Sequence, residues 1–429
     1  MMDSYSKWID GPVPSGRRVA GRVTPPSSKS LTHRYLNLAL LARRPLVVER
    51  PLEAEDTLLF REALAAIGFA VEADGDRLRI RPPVAPATAA DILCGNAGTM
   101  FRFVVASLAT LPGAWRVDGV QRLRERPIAP LTAALAELGV ELEGGDRAPL
   151  TVRGPSLAGG ATKLDAGASS QYLSALLMAG QRATGPVTIE VSALTSLPYV
   201  DLTLQALADF GGRVEKLGAG RWRTVPSALD GCDRVRVEGD FSAVGYPAAA
   251  AALSGGEVTI DGVRRDSRQG DRGFLAVLET MGAEVQWNDG SVRVRGPAVL
   301  EGLTADLSAM PDQVPTLAAL APFARGVTRI TNVPHLRVKE SDRLAAMAEE
   351  LTRVGATVEE LDDGLVIPGV WADGPTPETP FETSSHGDHR IAMSLALVGL
   401  RRSAITIGQP AVVNKSYPAF WRDLARLLD

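Results

Sequence analysis

Cysteine is nearly absent from this 429-residue chain: Cys94 and Cys232 are the only two. That excludes a disulfide framework and a multi-cysteine zinc site. Histidine is scarce as well. The four present, His33, His335, His386 and His389, show no metal-ligand spacing such as HExxH, so no metal site is expected. No apolar run approaches the roughly 18 residues that a membrane span requires. Residues 1–8 hold no apolar stretch of the secretory kind, so a cytoplasmic protein is expected. Positive charge is not in excess either. Lys and Arg number 46 against 50 Asp and Glu, a net charge of −4, which argues against wholesale nucleic-acid binding. What the chain does have is 45% hydrophobic residues over a length suited to two or three domains, each able to bury a core. A multidomain enzyme is the class that remains.

An amphipathic helix, a glycine and a short alternating strand recur along the chain. The copies read FREALAAIGFAV at 60–71, LTAALAELGVEL at 131–142, LQALADFGGRV at 204–214, FLAVLETMGAEV at 274–285 and MAEELTRVGATV at 347–358. The glycines ending these helices are Gly68, Gly139, Gly211, Gly282 and Gly355, at steps of 71, 72, 71 and 73 residues. Glycine in that place is the expected left-handed helix cap, and the alternation after it reads as strand. Six such units fill the chain, and the sixth helix, at 417–428, has no strand after it. RRVAGRV at 17–23 reads as a strand, which predicts that the N-terminal segment closes the last unit. Three units then fall in residues 23–238, and three in 239–429 together with 1–22. A cleft between two such halves is the expected ligand site.

A second periodic signal carries the function. Helices with polar starts and apolar bodies begin at Ser28, Gly98, Ser169, Asp240, Asp312 and Asp388, at steps of 70, 71, 71, 72 and 76. Their bodies include LSALLMA at 173–179, AAAAAL at 248–253, LAALAPFA at 317–324 and IAMSLALV at 391–398. A helix that is apolar all round is buried, and its first N–H groups still need partners. The six N-termini are therefore expected to converge on a site of positive potential that binds anions. Lys29, Arg34, Arg102, Arg126, Lys339, Arg343, Arg390 and Lys415 fall at these starts or in loops beside them. Arginine clamps carboxylate or phosphate with two bonds, and lysine serves as a point charge. Singly, each signal has an ordinary reading: an N-cap at 28–30, a tight turn at 95–99, a solvated helix face at 337–343, a packed core thiol at Cys94. Recurrence at equivalent points of a six-fold repeat is what points to a site.

At these residues the chain resembles the 5-enolpyruvylshikimate-3-phosphate synthase family. Lys29-Ser30 with Arg34, residues 95–99 with Arg102, Glu125-Arg126-Pro127, Ser169-Ser170-Gln171, Pro311-Asp312, residues 337–343, Asp388-His389-Arg390 and Lys415 are similar to the family's motifs, in the family's order. The resemblance implies a two-domain α/β fold, an inside-out α/β barrel of six βαβαββ repeats with pseudo-threefold symmetry in each domain. It implies transfer of the enolpyruvyl group of phosphoenolpyruvate to the 5-hydroxyl of shikimate 3-phosphate, with release of phosphate, on the route to chorismate and the aromatic amino acids. No cofactor is implied, and no partner beyond the two small molecules: a monomer that engages neither nucleic acid nor membrane. Carried over to the matching positions, Lys29, Ser30, Arg34, Ser169, Ser170, Gln171, Ser196, Asp312, His335 and Lys339 would hold shikimate 3-phosphate. Lys29, Gly98, Arg126, Gln171, Arg343, Arg390 and Lys415 would hold phosphoenolpyruvate, in the site that the inhibitor glyphosate occupies in this family. Asp312 and Glu340 would move protons, assisted by Lys29.

Some residues depart from the family's pattern. Ser27 stands where the family usually has Gly, and His335 where it often has Asn. Met100-Phe101-Arg102-Phe103 replaces a usual Ala-Met-Arg-Pro. The greater bulk of Met100, Phe101 and Phe103, with the loss of that proline from the helix's first turn, is expected to repack the helix start, shift Gly98 and weaken glyphosate. A sister enzyme that acts on UDP-N-acetylglucosamine carries a reactive cysteine after the 95–99 motif, and residues 111–127 contain none. Two further alternatives are an enolpyruvyl transferase for another hydroxyl acceptor, which His335 leaves open, and a non-catalytic anion-binding scaffold, which would need neither Asp312 nor Glu340.

Overall fold

Strand segments in this chain alternate apolar and charged residues, so one face of each sheet is covered and the other is wet. Arg77–Arg81 (RLRIR) buries Leu78 and Ile80 and turns its three arginines to solvent. In the computed structural model, which describes residues 11–85 and 87–428, such strands build five four-stranded sheets. Each joins one parallel pair to an antiparallel hairpin. Ala89–Leu93 runs parallel to Gly113–Asp118, which pairs antiparallel with Leu150–Gly154 and, beyond it, Glu141–Glu143. A parallel pair needs a crossover, which the Gly98–Leu108 helix supplies. A second helix, Ala129–Glu137, then leads through Gly139 into the hairpin. Gly68, Gly139, Gly211, Gly282 and Gly355 all adopt φ between 73° and 108°, the left-handed region that glycine enters without a Cβ penalty.

The chain folds as two units. One holds Ser27–Glu238, and the other holds Gly239–Asp429 with the chain up to Pro26, of which residues 1–10 and 429 lie outside the described residues. Each has its own apolar core. At the centre of the first pack the helices Lys29–Ala42, Gly98–Leu108 and Gln171–Ala179. At the centre of the second pack Phe241–Ser254, Val314–Leu320 and His389–Arg401. These are the helices expected to be buried, and they are: only Ser254 of Phe241–Ser254 keeps substantial contact with water. Their N-terminal ends carry the functional residues described below.

The expectation that residues 17–23 close the last repeat is corrected. Ala20–Val23 runs parallel to Glu257–Asp261, with Val23 opposite Ile260, on the edge of the first sheet of its unit. Arg234–Arg236 takes the corresponding edge beside Leu46–Glu49 in the other unit. The last repeat has a parallel pair, Phe381–Thr383 with Ile405–Ile407, then the helix Phe420–Leu428, and no hairpin among the described residues. A single four-residue strand cannot supply a hairpin, whereas Glu257–Asp261 lacks the one parallel neighbour that Ala20–Val23 provides. Residues just upstream do reach the last repeat: Val13 N donates to Ile405 O at 2.8 Å and Gly16 N to Leu400 O at 2.9 Å.

Candidate active site

In the Ser27–Glu238 unit the central helices begin on neutral groups. Ser28 accepts the N–H of Leu31 at 3.4 Å and Ser169 Oγ that of Gln171 at 3.3 Å, while Gly98–Leu108 has no side-chain cap. None of the three starts is capped by a carboxylate. Arg34 lies one turn inside the first helix and is fully buried. It donates to Ser30 O at 2.8 Å, Thr203 Oγ1 at 2.8 Å and Tyr199 O at 2.6 Å, all neutral oxygens. Burial pulls its pKa down to about 10, partly opposed by Tyr199 and Tyr35, so it stays charged at neutral pH. Lys29 Nζ lies 3.1 Å from the buried carboxylate of Asp56. Ser170 is buried, and so is Ser196, which caps Leu197–Asp209 with φ of 51°, a left-handed conformation costly for a non-glycine residue.

Two arginines of this unit do different jobs. Arg126 is buried, donates to Asn96 O at 3.2 Å and presses its guanidinium against Gly98: a Cβ there would sit 2.6 Å from Arg126 Cζ. Arg102 instead props its neighbours. It donates to Gln171 Oε1 at 2.7 Å and to Pro127 O at 3.1 Å, and stacks 5.2 Å over the Tyr172 ring. Gln171 in turn donates to Thr99 Oγ1 at 2.9 Å, so Arg102 orients both Gln171 and the loop carrying Arg126. The expectation about Phe103 is also corrected. It is the sixth residue of Gly98–Leu108, beyond the first turn, and its buried ring lies 5.5 Å beneath Arg34 Cζ. The substitution therefore bears on Arg34 rather than on the helix start.

The other unit is built differently. Asp240 caps its helix through Ser242 N at 2.8 Å and Ala243 N at 3.2 Å, and Asp388 caps Arg390 N at 2.9 Å. These two ends already hold carboxylates, so two of the six helix starts expected to supply positive potential are compensated by their own caps. Arg343, fully buried, binds three carboxylates: Asp388 at 2.7 Å, Asp312 at 2.8 Å and Glu340 at 3.1 Å. Burial lowers its pKa, yet Asp388, Glu340 and Asp312 together outweigh that and hold it above the usual value. Asp312, on the turn Pro311–Gln313, gives its second oxygen to Arg390 at 2.6 Å. One carboxylate thus bridges two buried guanidiniums. His335 is buried near Lys339, Asp312 and Arg343. Burial first, then Lys339 and Arg343, push its pKa down to about 3 against the pull of Asp312, leaving a neutral imidazole at pH 7. Lys415 ends the turn Pro410–Lys415 and is buried.

The residues singled out on the sequence therefore form two clusters. Lys29, Ser30, Arg34, Gly98, Arg126, Ser169, Ser170, Gln171 and Ser196 belong to one unit. Asp312, His335, Lys339, Glu340, Arg343, Arg390 and Lys415 belong to the other. Sequence reasoning gave no role to Asp56, whose place in the first turn of Glu55–Ile67 reads as a helix-dipole partner, nor to Asp388, which read only as a polar start.

Buried guanidinium and carboxylate groups at the ends of packed helices are the kind of arrangement an α/β enzyme acting on small molecules uses. The chain belongs to the EPSP synthase (3-phosphoshikimate 1-carboxyvinyltransferase) family, whose model matches residues 13–424. It is 41% identical to the 3-phosphoshikimate 1-carboxyvinyltransferase of Syntrophobacter fumaroxidans over 415 residues, covering 95% of this chain and 97% of the relative. It is also 41% identical to the Methanothrix thermoacetophila protein of the same name, with 95% and 96% covered. The solved EPSP synthase of Acinetobacter baumannii matches with a TM-score of 0.79 at 28% identity, over 97% of each chain. That likeness bears out the two-domain α/β fold expected from the sequence.

Proposed function

We propose that this chain transfers the enolpyruvyl group of phosphoenolpyruvate to the 5-hydroxyl of shikimate 3-phosphate, acting in the cytoplasm as a monomer. The observation that carries the reading is the Asp312 carboxylate shared between Arg343 and Arg390, with Glu340 on the same guanidinium. Two arginines that already bind one carboxylate can bind the carboxylate of phosphoenolpyruvate beside Lys415, and Lys29 and Arg126 are cations of the kind that takes its phosphate. Arg34, whose partners are all neutral oxygens, serves the shikimate side with Ser30, Ser169, Ser170, Gln171 and Ser196, joined by Asp312, His335 and Lys339.

The chemistry follows from the two carboxyl groups. Asp312 accepts the proton of the 5-hydroxyl as that oxygen bonds to C2 of phosphoenolpyruvate, and Glu340 delivers a proton to the methylene carbon. A tetrahedral adduct results. Its C–O bond to phosphate then breaks as Asp312 passes the hydroxyl's proton to the leaving oxygen and Glu340 takes the methyl proton back, restoring the double bond, releasing phosphate and returning both carboxyl groups to their starting protonation states. Neutral His335 offers one donor and one acceptor, as the carboxamide common at this place in the family does, which favours shikimate 3-phosphate over another acceptor. No protein nucleophile is required; burial, then Asp118 and Asp56, push the Cys94 thiol far above its usual range. The test is phosphate release from phosphoenolpyruvate with and without shikimate 3-phosphate. Release only with both is expected. No release with both, or release without the acceptor, overturns the reading.

A further inference from the structure

We propose that Glu350 is a positioning residue for the cations Arg343, Arg390 and Lys415; the inference rests on the reading of those three as the phosphoenolpyruvate clamp. Glu350 lies about 10 Å along the Arg343–Arg353 helix from Arg343, two turns away from the reacting groups. Its side chain is completely buried. A carboxylate withdrawn from water costs several kcal/mol unless its lone pairs are taken up, and here both oxygens are. Oε1 accepts from Arg353 Nη1 at 2.6 Å and lies 3.2 Å from His386 Nε2, while Oε2 accepts the backbone N–H of Ser384 at 2.9 Å. An apolar side chain would fill the same place with no charge to compensate. The carboxylate's contribution is the segment of chain it fixes.

That segment is the turn at 384–387. It includes two left-handed residues, His386 with φ of 51° and Gly387 with φ of 66°, and the first of these is not a glycine, so the conformation needs holding. Three ties lead from the turn to the clamp. Asp388 follows it directly, donating its N–H to Ser385 O at 2.8 Å, and takes Arg343 Nε at 2.7 Å. The same carboxylate caps Arg390 N at 2.9 Å and so sets the start of the helix that carries Arg390. Ser385 Oγ donates to Gln409 Oε1 at 3.2 Å, and Gln409 opens the turn that ends in Lys415. Through Glu350 the helix bearing Arg343 grips the turn that places the other two cations. Glu349, Glu350 and His386 could as a group suggest a metal ion, but the Arg353 guanidinium already occupies the inner carboxylate and would repel a cation.

The experiment measures both KM values, kcat and Tm for full-length Glu350→Ala and Glu350→Gln. Glu350→Ala is expected to raise the KM for phosphoenolpyruvate about 30-fold, the scale of a sub-ångström misplacement of binding groups, while the KM for shikimate 3-phosphate stays within about twofold. Glu350→Gln keeps an amide oxygen for the Ser384 N–H and should recover most of the loss. An unchanged KM for phosphoenolpyruvate in folded Glu350→Ala, or equal losses in both KM values together with Tm, overturns the inference. If Glu350→Ala does not fold, Ser385→Ala, which cuts only the tie toward Lys415, carries the test: a severalfold rise in that KM supports the inference and no rise overturns it. Failure of the wild-type chain to release phosphate would sink the functional reading alone. Crystal structures of wild type and Glu350→Ala would then decide the positioning, with displaced Arg343 and Arg390 guanidiniums supporting it and superimposable ones overturning it.

Discussion

Replacing Gly98 by alanine separates the roles of Gly98 and Arg126. The new Cβ would sit 2.6 Å from Arg126 Cζ and Nη2 and 2.8 Å from Nη1, against 3.4 Å for ordinary contact. The guanidinium must therefore retreat by about 0.8 Å. All three close atoms are at the far end of one flexible side chain, so the helix backbone can stay in place. Gly98 is the first residue of its helix, where alanine is slightly preferred, so stability should hold or rise by a few tenths of a kcal/mol. What is lost is the position of the cation proposed to bind phosphoenolpyruvate. A hydrogen bond to a charged group contributes about 1.5–3 kcal/mol, and each 1.4 kcal/mol is tenfold, so the KM for phosphoenolpyruvate should rise roughly 10- to 150-fold. Inhibition by glyphosate, which shares that site in this family, should weaken alongside it. The assay is steady-state phosphate release at saturating shikimate 3-phosphate, with Tm measured in parallel. A double-mutant cycle makes the reasoning refutable: in an Arg126→Ala background, Gly98→Ala should add little, because the displaced group is gone. An undiminished effect in that background would show that the methyl group acts on something else.

Three other perturbations follow from the second cluster. Asp312→Ala removes the carboxylate bridging Arg343 and Arg390 and the proposed base together, so turnover should fall by about 10²–10⁴, with weaker binding of shikimate 3-phosphate by titration calorimetry; near-normal turnover would remove Asp312 from the mechanism. Glu340→Gln should lose turnover on the same scale while binding shikimate 3-phosphate normally, and a matching loss of binding would refute its assignment as a proton carrier. His335 titrates near 3 when folded and near 6.5 when unfolded, so the unfolded state binds the extra proton as pH falls. Its contribution to stability is full above about pH 6.5 and drains away toward pH 3. Between pH 7 and 5 that amounts to about 2 kcal/mol, a loss that urea unfolding should find in the wild type and not in His335→Asn; parallel curves would refute it.

How much of this was legible in the sequence depends on the range of the physics involved. The repeat was legible because helix capping is local: a glycine at a helix end must turn left-handed, and all five do. The buried central helices were legible because an all-apolar circumference has one solution. The N-terminal strand was not, since alternation tells which face of a strand is wet and not which strand lies beside it; Ala20–Val23 pairs with a segment more than 230 residues away. The cations were found by type and place, but type does not distinguish a ligand-binding arginine from a prop. Arg102 and Arg126 flank the same loop, and only their partners show that one orients Gln171 while the other leans on Gly98. Phe103 was misplaced within its helix because departures from a family pattern mark where a change lies and not what it touches.

The two units have separated their electrostatics despite their shared repeat. In Ser27–Glu238 the central helices begin on serine or on no side-chain cap at all, and Arg34 is held by neutral oxygens. That half offers helix starts without a carboxylate cap, which suits binding of phosphate and carboxylate groups. In Gly239–Asp429 two helix ends are capped by Asp240 and Asp388, and Arg343 alone holds three carboxylates. Proton transfer needs carboxyl groups, yet a carboxylate beside two anionic substrates would repel them. Pairing Asp312 and Glu340 with buried arginines keeps the acid–base groups present while neutralising their field until a substrate competes for the guanidiniums. The consequence is a division that mutation can read. Losses in the first unit should fall mainly on KM, as removing an interaction made equally in ground and transition states does, whereas losses at Asp312 and Glu340 should fall on kcat.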